Sequence, residues 1–276
     1  MLRIKDLITK MFKQSSDTQP WSNYYLEEQR DIKYTDKNIY EYLVECVGQD
    51  TDLIALNYFG TRMTFSEMFE KIDIAAKAFR SIGVKEGDIV TICVPNTPEA
   101  LISFYAVNKI GAVADMIHPL SAGNEIKYYL NESKSRVLVL FDGAYSKVED
   151  ILDDTLVHKT IIVSPKDSMP KGLSVGYTIT RGWKTKKPKF NDSDFMNWGS
   201  FMLKGMMYSK NYTSKMKSED LAVILHSGGT TGKPKGIMLS NFNFNAECQQ
   251  AGLVLPSIKP KEKIMTILPN FHGFGL

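Results

Sequence analysis

From residue 51 onward short apolar runs alternate with capped amphipathic segments, an order that leaves few architectures open besides a layered α/β sheet. Thr64-x-x-Glu67 has the form of a capping box, and Phe65, Met68, Phe69, Ile72, Ala76 and Phe79 then keep one apolar face until Gly83. The run Ile89–Val94 predicts a buried strand. Thr97-Pro98 predicts the next helix start, with threonine as cap and proline at the first helical position, running to Gly111. Ala112–Ile117, Arg136–Phe141 and Thr160–Val163 predict further strands, with helical segments near Asn124–Asn131 and Tyr145–Leu152 between them. Such βα units imply a largely parallel sheet flanked by helices. The stretch Ser164–Ser218 breaks the rhythm and reads as a long connection, in which Phe195, Trp198, Phe201 and Met202 pack as one short helix.

A last apolar run, Leu221–Leu225, leads into Ser227-Gly-Gly-Thr-Thr-Gly-Lys-Pro-Lys-Gly236. Gly228, Gly229 and Gly232 let the backbone approach an anion, and successive N–H groups, the hydroxyls of Ser227, Thr230 and Thr231, and the ammonium groups of Lys233 and Lys235 supply donors. A polyphosphate suits such a loop. A Walker A loop does not fit: Ser227 stands where its first glycine belongs, and Pro234 where the magnesium-binding hydroxyl belongs. Pro234 also pushes Lys233 toward an extended backbone, so the segment is expected to form a hairpin-like flap between strands rather than a helix start.

Thr230, Thr231, Gly232, Pro234, Lys235 and Gly236 match the signature Thr-Ser-Gly-Thr-Thr-Gly-x-Pro-Lys-Gly, with Gly228 in place of its serine. The chain thereby resembles the adenylate-forming superfamily of acyl-CoA synthetases, luciferases and peptide-synthetase adenylation domains. Met63–Glu67, Gly83–Asp88, Lys109–Ala112 and Glu125–Leu130 resemble further family segments, as does Leu239–Asn243, with Asn241 where a histidine is usual. Pro269-Asn-Phe-His-Gly-Phe-Gly275 is similar to the segment that lines the acyl-substrate pocket.

The resemblance implies the incomplete N-terminal domain of that fold: an N-terminal helical arm over 1–50, an α/β subdomain carrying the phosphate loop over 51–255, and the truncated start of a second α/β subdomain over 256–276. It implies that ATP activates a carboxylic acid, fatty acids foremost, to an acyl-adenylate, which then passes to coenzyme A. Residues 227–233, Lys235 and Gly236 would bind the nucleotide phosphates, with Thr230, Lys235 and His272 in catalytic roles and His272, Gly273 and Phe274 at the acyl substrate. His226 reads instead as a strand-end histidine satisfied by its neighbours. The acidic magnesium motif, the ribose-binding aspartate and the assisting C-terminal lysine of the family do not occur before Leu276. The main Mg2+ ligand is therefore expected beyond residue 276, no metal site is expected within the chain, and the chain alone is expected to be inactive. An amino-acid-activating domain loading a carrier protein, or a truncated binding protein without turnover, are the alternative readings.

A formal net charge of +3 gives no basic stripe for nucleic acid, and the run Lys184, Lys186, Lys187, Lys189 reads as a solvated loop. Cys46, Cys93 and Cys248 are too scattered for a disulfide framework or a zinc site. No stretch has the ~20 apolar residues of a membrane span, and a cytoplasmic location is expected. Leu2, Ile4, Leu7, Ile8, Met11 and Phe12, with basic residues between them, form an amphipathic pattern over residues 1–13 that either docks on the domain or touches a membrane surface. The sequence leaves the oligomeric state open.

Overall fold

The computed structural model describes residues 32–182, 186, 194–212, 214–227, 234–254, 261–273 and 275. The amphipathic stretch 1–13, Lys184, Lys187 and Lys189, loop residues Gly228, Gly229, Thr230, Thr231, Gly232 and Lys233, and Phe274 lie outside them.

Helix α1 (Ile39–Val47) precedes an antiparallel hairpin, β1 (Ile54–Tyr58) with β2 (Thr61–Thr64). The predicted capping box then opens α2 (Phe65–Ser81): Glu67 N–H donates to the Thr64 hydroxyl at 3.2 Å, and Thr64 N–H to the Glu67 carboxylate at 2.8 Å. There follow β3 (Ile89–Cys93), α3 (Pro98–Lys109), β4 (Val113–Met116), α4 (Gly123–Ser133), β5 (Val137–Phe141), the short α5 (Tyr145–Val148) and β6 (Lys159–Val163). After α6 (Lys171–Tyr177) come β7 (Phe195–Asn197), α7 (Trp198–Met207), β8 (Leu221–His226), β9 (Gly236–Ser240) and α8 (Asn241–Val254).

The described sheet has the order β7-β6-β5-β3-β4-β8-β9, parallel throughout except for β9 against β8. Strand alternation divides its side chains between two layers. Val90, Ile92, Val137, Val139 and Leu225 face α2, α3 and α7, whereas Leu138, Leu140 and Ile162 face Ile126, Leu130 and Val148 of α4 and α5. Burial on both faces explains why these strands read as continuous apolar runs.

The stretch 164–218 is more structured than its composition suggests. Phe195 is not part of a helix but begins β7, which pairs with β6 at the sheet edge, and the helix starts at Trp198. A strand of 3 residues carries too little periodicity to be recognised alone, and its pairing partner lies some 35 residues upstream, as in Thr160 opposite Phe195.

Asp73 ties three elements together. Its carboxylate meets Lys77 at 2.6 Å within α2, Lys109 of α3 at 2.8 Å and the Tyr212 hydroxyl at 3.0 Å. Burial by itself would raise this carboxyl, but hydrogen bonds from Lys109 and Lys77, the Lys109 charge and Tyr212 bring it down to about 2. A carboxyl whose folded value is depressed stabilises the fold above its unfolded value, and that contribution fades as pH falls through the folded one. Asp73→Asn should therefore unfold at lower urea than wild type at neutral pH, with the gap closing from about pH 4 toward pH 2. Urea midpoints that differ equally at both ends of that range would contradict the assignment.

Candidate functional site at the carboxyl edge of the sheet

In an open α/β sheet, ligands bind outside the carboxyl ends of the strands where the connections diverge to opposite faces. Here that point lies between β3 and β4. The chain leaves β3 into α3 in one layer and leaves β4 into α4 in the other. Asn96 follows β3, His118 follows β4, and the glycine-rich segment follows β8, the next strand over.

The flanks of that segment form a hairpin root, as Pro234 suggested. His226 pairs with Gly236 across β8 and β9, and Ser227 N–H donates to the Lys235 carbonyl at 3.0 Å. The Ser227 hydroxyl accepts from Lys235 N–H at 3.4 Å. From α4, the Tyr128 hydroxyl donates to the Pro234 carbonyl at 3.3 Å, and the Tyr129 ring lies 4.2 Å from that of His226. Ser227, Lys235 and Gly236 thus sit at the sheet edge, with the Lys235 side chain exposed.

The segment around His272 reaches the same edge. Asn96 donates through Nδ2 to the Leu268 carbonyl at 2.8 Å and accepts from Asn270 N–H at 2.9 Å, so one amide side chain seats the segment on the end of β3. The Phe271 ring lies 4.4 Å from the His118 ring beyond β4. Gly273 abuts β8 itself: a Cβ there would stand 3.2 Å from Leu225 Cδ1. His272, whose N–H donates to the Pro269 carbonyl at 3.0 Å, is exposed on this turn. Leu225, two residues before Ser227, therefore joins the hairpin root to the histidine turn.

Four residues of this edge had no role in the sequence reading. Asn96 and His118 follow strands and carry no motif of their own. His118 Nδ1 accepts from Leu120 N–H at 2.9 Å; partial desolvation, reinforced by the Lys147 ammonium and opposed by Glu125, holds its imidazole below the usual range. Thr91 and Asp115 could have been noticed, because an acidic residue at the centre of the apolar run 112–117 demands a partner. That partner is His226, whose Nε2 lies 2.6 Å from Asp115 Oδ1. Asn241, in the place of a histidine, is fully buried. It donates to the carbonyls of Lys217 at 3.0 Å and Asp220 at 3.2 Å and accepts from Ile39 N–H and Asn108 Nδ2, which makes it a clamp between α1, α3 and α8. Among the described residues no group of three or more His, Cys, Asp or Glu side chains is placed to hold a metal ion. Two clefts of about 230 and 250 Å³ lie elsewhere, beside Arg80 and Tyr212 and beside Tyr145 and Phe195.

The sequence model of the AMP-binding enzyme family matches residues 43–276. The chain belongs to this family. Among AMP-binding enzymes it is 26% identical to a long-chain-fatty-acid–CoA ligase of Bacillus subtilis (strain 168) over 259 residues, which is 93% of this chain and 46% of the relative. A long-chain-fatty-acid–CoA ligase of Escherichia coli O157:H7 is 29% identical over 238 residues, 84% of this chain and 42% of the relative. The fold is that of a solved long-chain-fatty-acid-CoA ligase from Archaeoglobus fulgidus, at TM-score 0.68 and 23% identity over 88% of this chain and 44% of that one. An anthranilate CoA ligase solved with anthranoyl-AMP superposes at TM-score 0.63 and 19% identity, over 81% of this chain and 38% of that one. This AMP-binding chain thus spans less than half the length of these relatives. Among the described residues no helix is long and apolar enough to cross a membrane.

Proposed function

We propose that this chain supplies the phosphate-gripping part of an enzyme that joins a carboxylic acid, most suitably a fatty acid, to coenzyme A through an acyl-adenylate. The observation that carries the reading is the common seat of two segments: the hairpin root at Ser227 and Lys235 and the turn at His272 both stand on the carboxyl ends of β3, β4 and β8. In the first half-reaction an acid carboxylate oxygen attacks the α-phosphorus of ATP, forming the acyl phosphate bond as the bond to pyrophosphate breaks. Negative charge gathers on the β- and γ-phosphates, and pre-placed donors there lower the barrier. Ser227, Thr230, Thr231, the backbone N–H groups of 227–233, Lys235 and Gly236 would serve in that role. His272, Gly273 and Phe274 would border the acyl group. In the second half-reaction the thiol of coenzyme A attacks the acyl carbon and AMP leaves.

Mg2+ would neutralise charge on the polyphosphate, held chiefly by segments that the longer relatives carry beyond the matched part. Residues 1–50 would be an arm, 51–255 the phosphate-binding subdomain and 256–276 the beginning of the next. A cytoplasmic location fits these substrates, with residues 1–13 as a contact to the domain or to a membrane surface. The test is carboxylate-dependent exchange of pyrophosphate into ATP, made with this chain and with a protein of the relatives' full length. Exchange driven by fatty acids in the long form and absent from the chain alone is expected. Exchange driven by amino acids, or turnover by the chain alone, would overturn the reading.

A further inference from the structure

A strand buried on both faces is an expensive place for a carboxylate, yet β4 carries Asp115 at 0% exposure. Both of its oxygens are engaged. Oδ2 accepts from the Thr91 hydroxyl on β3 at 2.7 Å, and Oδ1 meets His226 Nε2 on β8 at 2.6 Å. Three adjacent strands are thereby linked by one polar chain on the face that α4 covers. A carboxylate can only accept, so Nε2 is the ring nitrogen that carries a proton, and the tautomer and tilt of the imidazole follow from Asp115. The His226 side chain is 7% exposed, and its Nδ1 is buried with no partner among the described residues.

The position of this ring gives the chain its consequence. His226 is the last residue of β8; its backbone pairs with Gly236, and the next residue, Ser227, is bonded to Lys235. Asp115, by holding the ring, anchors the last Cα of β8, from which the hairpin root departs. A buried, hydrogen-bonded carboxylate contributes little net stability compared with a well-packed apolar replacement, so stability alone is a weak account of why one lies here.

We propose that Thr91, Asp115 and His226 form a positioning relay that sets Ser227 and Lys235 for the polyphosphate, an inference that rests on the phosphate-site reading given above. None of the three touches the reacting atoms; they act through the backbone of the hairpin root.

Two measurements test it. The chain has 4 histidines, so the ring-nitrogen resonances can be assigned by single substitutions. His226 should show the Nε2–H tautomer with a strongly deshielded proton, and Asp115→Asn should abolish that signature. The second measurement is ATP dependence of pyrophosphate exchange in the protein at the relatives' length. Asp115→Asn and His226→Phe should each raise KM for ATP about tenfold or more while leaving KM for the acid unchanged, since a small misplacement of binding groups suffices for such losses. His226→Phe keeps an aromatic ring against Tyr129 but loses the N–H, which makes it informative if Asp115→Asn does not fold. His226→Gln keeps an N–H for Asp115 and should restore most of the affinity for ATP. An Nδ1–H tautomer, or wild-type KM for ATP in both Asp115→Asn and His226→Phe, would overturn the relay. Absence of exchange in the wild type would instead remove the phosphate-site reading and the relay with it.

Discussion

Lys235→Ala should slow fatty-acid-dependent pyrophosphate exchange by about 10²–10³-fold, corresponding to ~2.7–4 kcal/mol of barrier, the usual effect of removing one pre-placed donor from developing charge. The lysine is suited to that duty by what surrounds it. Its backbone is held on both sides, through its carbonyl and its N–H to Ser227, while its side chain is exposed and has no ion-pair partner among the described residues. The ammonium therefore has no ion pair with a described residue to break before it meets a ligand. Because the side chain is exposed, alanine should change unfolding free energy by less than about 0.5 kcal/mol, so lost exchange would not reflect lost fold. The loss should fall on kcat as well as on KM for ATP, since charge on the departing pyrophosphate grows toward the transition state. Exchange within threefold of wild type, with normal stability, would remove Lys235 from the phosphate site.

The fold was legible wherever one local signal sufficed. The capping box at Thr64, the Thr97-Pro98 helix start and the apolar runs of β3, β4, β5, β6 and β8 each encode their own conformation, and all occur where the residues predict them. Strand β7 was not legible because its identity comes from pairing with β6, a contact no short window contains. At the candidate site the difference is of another kind. The loop and the His272 turn announce themselves through unusual composition, whereas Asn96 works by seating a distant turn and Asp115 by meeting a histidine 111 residues away. Asp115 left a trace all the same: a charge in the middle of a buried strand requires a partner, even though its identity is set by register. His226 was expected to be a satisfied strand-end histidine, and its Nε2 is paired; among the described residues its buried Nδ1 has no partner, which that expectation did not foresee.

Phe201→Ala is expected to lower the unfolding free energy by about 3–5 kcal/mol, the range for deleting a fully buried phenylalanine. Phe201 is 0% exposed on α7, with its ring 4.7 Å from that of Phe79 on α2 and 5.4 Å from that of Trp198. The two helices cannot close over the resulting void, because they already touch. A Cβ at Gly205, one turn further along α7, would clash with the Ile74 carbonyl oxygen, so backbone meets backbone there. With the cavity unable to collapse, the loss should fall toward the upper end of the range. Typical domains have only about 5–15 kcal/mol in all, so Phe201→Ala should shift the urea midpoint by a large fraction of its wild-type value. Phe201→Leu, which keeps most of the volume, should lose much less. The phenylalanine lies in the layer opposite the relay and away from the carboxyl-edge contacts of Ser227 and Lys235, so the folded fraction should keep its KM for ATP. A midpoint change in Phe201→Ala no larger than that of Phe201→Leu would mean that α7 yields to fill the space, and that the close contact at Gly205 does not fix its position on α2.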